Sequence, residues 1–249
     1  MHDESYPVLS KSRYDAVIFD LDGVITDTAR THFRSWKAVF DEFLNRTSGE
    51  QFEPFSDSDY RRYVDGLPRF DGIRNFLDSR NIELPEGDNA ARPGYDSIQA
   101  LGMEKNRRYR QRLEAGEISV FDDAITLLEQ LRESGFRLGL VSSSRNATLV
   151  LETLGLESYF QARIDGVTLA NTDLRGKPAP DMFVEAAKQL DVAVERAIVV
   201  EDAVSGVEAG RAGGFGLVIG RGDTEDDRRQ LVESGADYAV HRLSELKLQ

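Results

Sequence analysis

The chain has 249 residues, 40% of them hydrophobic, which is enough to bury a core in one domain or two. A formal net charge of −13 argues against nucleic acid, whose binders carry a basic face, but a few local cations can still hold an anionic small molecule. The absence of cysteine excludes disulfides, thiolate metal sites and cysteine nucleophiles.

The opening stretch MHDESYPVLSKSR has no basic start followed by an apolar run, so it does not read as a signal peptide. No apolar stretch approaches the ~18 residues that span a bilayer. A cytoplasmic protein with no membrane partner, monomeric or weakly self-associating, is expected. Internal repeats and low-complexity segments are not evident.

In chain order, the run Ala16-Val17-Ile18-Phe19 is short, apolar and rich in β-branched and aromatic residues, as a buried strand is. It ends at Asp20; Asp22 follows, and Gly23 lets the chain turn away. Residues 29–43 read as a helix, with Phe33, Trp36, Val39, Phe40 and Phe43 at helical spacing and Asp27 or Thr28 as its cap. A loop over 45–54, helices over 57–64, 69–78 and 94–113, and a polar loop over 83–93 come next. No convincing strand is expected between 29 and 117. From Phe121 the pattern changes. A helix begins at Asp122 and closes at Gly135, followed by a strand over 137–141, a polar turn over 142–146 and a helix that stops at Gly155. A short strand over 163–166, a helix opened by Pro180, a strand over 197–200, a helix over 205–212, a strand over 216–220, a helix over 226–234 and a short strand over 238–241 complete the chain. Strands alternating with helices imply a parallel sheet with right-handed crossovers. The fold class is α/β: a Rossmann-like parallel-sheet core, residues 1–27 and 115–249, with an inserted α-helical cap, residues 28–114.

In an open α/β sheet, reactive groups sit at the carboxyl ends of strands. Four stretches there carry polar residues: Asp20/Asp22, Ser142 to Asn146, Lys177 in RGKPAPDMF, and Glu201/Asp202 in VVEDAVSG. Brought to one sheet edge they form a pocket of carboxylates, a hydroxyl and an ammonium, suited to Mg²⁺ beside a phosphoryl group. A carboxylate attacking phosphorus gives an aspartyl-phosphate. Each residue also has a plain structural reading taken alone. Glu201-Asp202 could cap the next helix, Lys177 could be a surface lysine, and His32 could be packed on its aromatic helix.

DLDGVITDT, SSS, GKPAPDMF and VVEDAVSGVEAG, in this order and spacing, resemble the four motifs of the haloacid dehalogenase-like superfamily. The acidic second position, Asp22, resembles its phosphotransfer branches rather than its dehalogenases. The resemblance implies Asp20 as nucleophile, Asp22 as general acid/base, Ser142 and Lys177 on the phosphoryl group, and Asp20, the Asp22 carbonyl, Asp202 and Glu201 around Mg²⁺.

GVITDTARTHFRSWKAVF resembles the opening of the β-phosphoglucomutases more narrowly. This implies that His32 positions the general acid/base. It also implies that Thr28, Gly66, Arg69, Lys105, Ser143, Ser144 and Asn146 line the substrate, with Arg69 gripping the non-transferring phosphate. Asp65 stands where those mutases tend to have Lys, and Gly72 where they have a hydroxyl. The implied reaction converts β-glucose 1-phosphate to glucose 6-phosphate through a sugar bisphosphate. A phosphatase using the same residues is the alternative, and a non-catalytic sugar-phosphate sensor a further one.

Overall fold

The computed structural model of the chain describes residues 8–48, 52–64, 67, 69–88 and 92–249. It contains two compact units, Met1–Asp27 with Ser119–Gln249, and Thr28–Ile118. The chain leaves the first unit where the sequence suggests but returns four residues later than the expected residue 115. The outgoing and incoming segments pair: Asp27 N–H donates to the Ser119 carbonyl and Phe121 N–H to the Ile25 carbonyl, each at 3.0 Å. Thr26 also bridges Val120. Thr31 Oγ1 donates to the Glu117 carbonyl at 2.6 Å, which keeps residue 117 with the helical unit.

The first unit opens with β1 (Val8–Leu9) and β2 (Ala16–Phe19). The second unit holds α1 (Ala29–Ser48), α2 (Asp57–Tyr63), α3 (Arg69–Ser79) and α4 (Ile98–Glu114). The first then resumes with α5 (Asp122–Glu133), β3 (Arg137–Val141), α6 (Ala147–Leu154), β4 (Ala162–Ile164), α7 (Gly166–Ala170) and α8 (Asp181–Gln189). It ends with β5 (Ala197–Glu201), α9 (Val204–Ala212), β6 (Leu217–Arg221), α10 (Glu225–Glu233), β7 (Tyr238–Val240) and β8 (Lys247–Leu248).

Among the described residues, the first unit is built on a six-stranded parallel sheet in the order β4-β3-β2-β5-β6-β7. Every residue of β2 is buried, as expected of a parallel strand covered on both faces. On one face the cover is apolar: Met182, Phe183, Ala186 and Ala187 of α8, with Leu190 just after it, pack with Ile18, Val199 and Val141. The order reverses at β2, whose neighbours are β3 and β5. In such sheets this switch point opens the crevice where ligands bind. Asp20 follows β2 directly, and its N–H donates to the Val200 carbonyl at 2.9 Å. The register pairs Phe19 with Leu140 and with Val200, so the sheet brings Ser142 and Glu201 to the same edge as Asp20.

The second unit is all helical among its described residues and closes around an aromatic cluster. Phe40, Phe55 and Phe76 meet with centroids 4.2–4.9 Å apart, and Trp36, Phe43, Ile73 and Leu101 pack around them. The N-terminus of α2 has a capping box between Ser56 and Asp59, and the Ser97 side chain caps α4. Three expectations are corrected. Residues 45–48 continue α1 rather than starting a loop, helped by the Arg46–Glu42 pair at i, i+4 and by Thr47 Oγ1 donating to the Phe43 carbonyl at 3.0 Å. α4 starts at Ile98, after its cap, rather than at residue 94. The fourth strand of the sheet ends at Ile164, because Asp165 accepts from the Val167 and Thr168 amides and starts α7.

Candidate active site

Asp20 lies buried where β2 ends, with Lys177 Nζ 2.5 Å from its Oδ1. The same ammonium donates to Glu201 Oε1, so Lys177 bridges two carboxylates on adjacent strand ends. Glu201 Oε2 accepts from the backbone N–H groups of Asp202 and Ala203, at 2.8 Å each. Expected among the metal ligands, Glu201 therefore has both oxygens engaged, one in holding Lys177 and the other in fixing the turn into α9. Asp202 packs against Gly23 so closely that a Cβ there would fall 1.8 Å from Asp202 Oδ2. Gly23 also has φ +83°, in the left-handed region, so the turn that carries Asp22 requires glycine twice over. The turn is closed by Gly23 N–H donating to the Thr26 carbonyl at 2.8 Å and by the Ile25 and Thr26 amides donating to the Leu21 carbonyl.

On the other side of β2, Ser142 follows β3. Its N–H donates to the Ile164 carbonyl at 2.9 Å, and its Oγ accepts from the Ser144 N–H at 3.1 Å. With that lone pair engaged, the Ser142 hydroxyl proton can point to an anion. Ser144 Oγ in turn accepts from the Asn146 N–H at 3.2 Å, so Ser142 to Asn146 form one locally bonded turn.

Four carboxylates, Asp20, Asp22, Glu201 and Asp202, thus act on one another's charge in this unit, against the single ammonium of Lys177. Burial pushes the Asp20 carboxyl up to about 8; Lys177 opposes the rise, and Glu201 and Asp22 add to it. Burial and the charges of Glu201 and Asp20 likewise raise Asp202 well above the usual carboxylate range. Burial works against the Lys177 charge, but Asp20 and Glu201 outweigh it and hold the ammonium protonated. An excess of buried negative charge with hard oxygen donors fits Mg²⁺. Among the described residues, no three His, Asp or Glu side chains form a metal cage by themselves.

In the helical unit, the structure gathers a second set of expected residues. Lys105 Nζ lies 2.7 Å from His32 Nδ1 and sits over the rings of Tyr109 and Trp36, at 4.7 and 5.1 Å from their centroids. The His32 ring packs against Tyr109 with centroids 4.2 Å apart. Burial, then the charges of Lys105 and Arg69, hold the His32 pKa well below its usual value. His32 is therefore neutral. It accepts from the ammonium at Nδ1, which assigns its proton to Nε2. Arg69 Nη2 donates to Asn106 Oδ1 at 3.1 Å, and the Thr28 carbonyl accepts the His32 N–H at 2.8 Å in the first turn of α1. Gly66 and Asp65 lie outside the described residues. The His32–Lys105 pair spans 73 positions and has no local signal. Arg221, whose Nη1 donates to the Gly23 carbonyl at 2.9 Å, was not singled out by sequence reading, because an arginine ending a strand carries no motif.

Residues 14–214 match the model of the haloacid dehalogenase-like hydrolases. The chain belongs to the haloacid dehalogenase-like hydrolase family. Within the family it falls in the β-phosphoglucomutase-like subfamily. It is 45% identical over 237 residues to a β-phosphoglucomutase of Mycobacterium bovis, covering 93% of this chain and 90% of that protein. A β-phosphoglucomutase of Bacillus subtilis is 34% identical, covering 94% of this chain and 92% of its own length. A crystal structure of a β-phosphoglucomutase from Clostridium difficile superposes with a TM-score of 0.70 at 25% identity, covering 94% of this chain and 93% of that one. As a haloacid dehalogenase-like protein of this subfamily, the chain is an enzyme of the phosphotransferase or phosphatase type.

Proposed function

We propose that the enzyme is a Mg²⁺-dependent sugar-phosphate phosphotransferase working through an aspartyl-phosphate, and specifically a β-phosphoglucomutase that converts β-glucose 1-phosphate to glucose 6-phosphate. The observation that carries the chemistry is Asp20 at the sheet's switch point, 2.5 Å from Lys177. The mutase assignment is supported by the 45% identity to the mycobacterial protein of that name.

Asp20 Oδ attacks phosphorus, and the sugar oxygen leaves with a proton from Asp22. In the second half, Asp22 takes the proton from the attacking sugar hydroxyl, which receives the phosphoryl group from Asp20. Lys177 and the Ser142 hydroxyl hold the phosphoryl oxygens, with Glu201 fixing Lys177 in place. Asp20, Asp202 and the Asp22 carbonyl would hold Mg²⁺, which when bound offsets charge on the transferring group and draws the Asp20 carboxyl down to its ionised form. Arg69 and Lys105 carry the positive charge for the substrate's other phosphate, and Ser143, Ser144, Asn146 and Thr28 are its further contacts. The reading puts the enzyme in the cytoplasm with small-molecule partners; among the described residues no helix is long and apolar enough to cross a membrane.

The test is ³¹P spectroscopy of the enzyme with Mg²⁺, β-glucose 1-phosphate and a trace of the bisphosphate. Growth of the glucose 6-phosphate signal is expected. Inorganic phosphate instead would make the enzyme a phosphatase, with water attacking the phosphoaspartate. Binding without turnover would make it a sensor.

A further inference from the structure

The turn that carries Asp22 is gripped from outside by a residue the chemistry does not otherwise use. Arg221, the last residue of β6, donates from Nη1 to the Gly23 carbonyl at 2.9 Å. Its guanidinium stacks on Phe121 at 4.0 Å from the ring centroid, and Nη2 pairs with Asp223 Oδ1 at 2.7 Å. The side chain is only 11% exposed, so this is a packed fork rather than a surface arginine. Phe121 is itself tied to the same segment, since its N–H donates to the Ile25 carbonyl at 3.0 Å. On its Cα side, Gly23 meets the Asp202 carboxyl, with no room for even a methyl group between them. Gly23, the residue that follows Asp22, is therefore set by Asp202 on one side and Arg221 on the other.

We infer that Arg221 is a positioning residue for Asp22: by holding the Gly23 carbonyl it fixes the orientation from which Asp22 gives and takes its proton. The inference rests on the reading of Asp22 as proton carrier. When a sugar ester reacts with Asp20, the P–O bond to the sugar breaks and the P–O bond to Asp20 forms. The leaving sugar oxygen must take the Asp22 proton. When acetyl phosphate reacts, the same bonds exchange, but acetate leaves without needing a proton. A residue that acts through the aim of Asp22 matters for the first donor and hardly for the second. Loss of overall fold or of Mg²⁺ binding would slow both.

The experiment measures single-turnover phosphorylation of Asp20, with Mg²⁺, from β-glucose 1,6-bisphosphate and from acetyl phosphate. Wild type is compared with Arg221→Met, Arg221→Lys and Asp22→Asn, alongside thermal melts. Arg221→Met is expected to slow the sugar donor about 10–100-fold and acetyl phosphate less than about 3-fold, since misplacement by an ångström costs on this order. Arg221→Lys, which keeps one donor and the charge, should show a smaller loss of the same donor-dependent kind, and serves alone should the methionine variant not fold. Equal losses with both donors, or none with either, would overturn the role of Arg221. If Asp22→Asn itself shows no donor dependence, it is the reading of Asp22 that fails. If Asp22→Asn is donor-dependent and the Arg221 variants are not, only the positioning role falls.

Discussion

The Lys105 ammonium donates a hydrogen bond to Nδ1 of His32 across 2.7 Å, inside the aromatic packing of Trp36 and Tyr109. An ammonium so placed forbids a second positive charge on the ring, and burial acts in the same direction.

A pH dependence follows. The folded state holds His32 neutral well below the 6.5 at which it titrates when unfolded. Above pH 6.5 neither state binds the proton and His32 contributes nothing to the slope. Below it the unfolded chain takes a proton that the folded chain refuses, so stability falls as pH falls. Urea midpoints measured between pH 7.5 and 5 should therefore drop more for wild type than for His32→Gln. Parallel curves would remove the neutral assignment.

Lys177→Met should be costly for stability as well as for turnover. It leaves Asp20 and Glu201 buried with their shared counter-ion gone. Breaking a buried pair in this way costs about 3–5 kcal/mol. Urea unfolding at pH 9, above the Asp20 titration, without divalent metal checks the figure, and a loss under about 1 kcal/mol would mean the carboxylates are not relying on Lys177.

Gly23→Ala should weaken Mg²⁺ binding, because the added methyl group falls on Asp202 Oδ2 and the backbone is left-handed there. Calorimetric titration with Mg²⁺ would show it. An affinity within about 2-fold of wild type would mean that Asp202 has no part in holding the ion.

The aromatic cluster of the helical unit gives a prediction on packing alone. Phe76 is fully buried between Phe40 and Phe55. Phe76→Ala is expected to destabilise by about 3–5 kcal/mol, read from chemical unfolding. A smaller loss would mean that the surrounding rings collapse into the space.

The sheet edge was legible because each of its parts is local. AVIF ending at Asp20, the turn from Ser142 and the strand ending at Glu201 each announce themselves within ten residues. What was not legible depends on chain segments meeting. β1 and β8 are two residues each and pair across almost the whole chain, too short for a periodic signal. The sequence does not show that Glu201 holds Lys177 with one oxygen and accepts from two backbone amides with the other. Gly72, which departs from the mutase pattern, has a packing reason instead, since a Cβ there would lie 3.2 Å from Val64 Cα. The late return of the chain at Ser119 comes from strand-like pairing with residues 25–27, which no spacing in either segment reveals.

The central claim is that Asp20 takes the phosphoryl group. The most direct test is to mix the enzyme with Mg²⁺ and a phosphoryl donor, quench in acid within the first turnover, and locate the added group by mass spectrometry of the peptides. One phosphoryl group on the peptide carrying Asp20, absent in Asp20→Asn, is the predicted result. A phosphoryl group on another residue, or turnover with no covalent adduct at all, would contradict it.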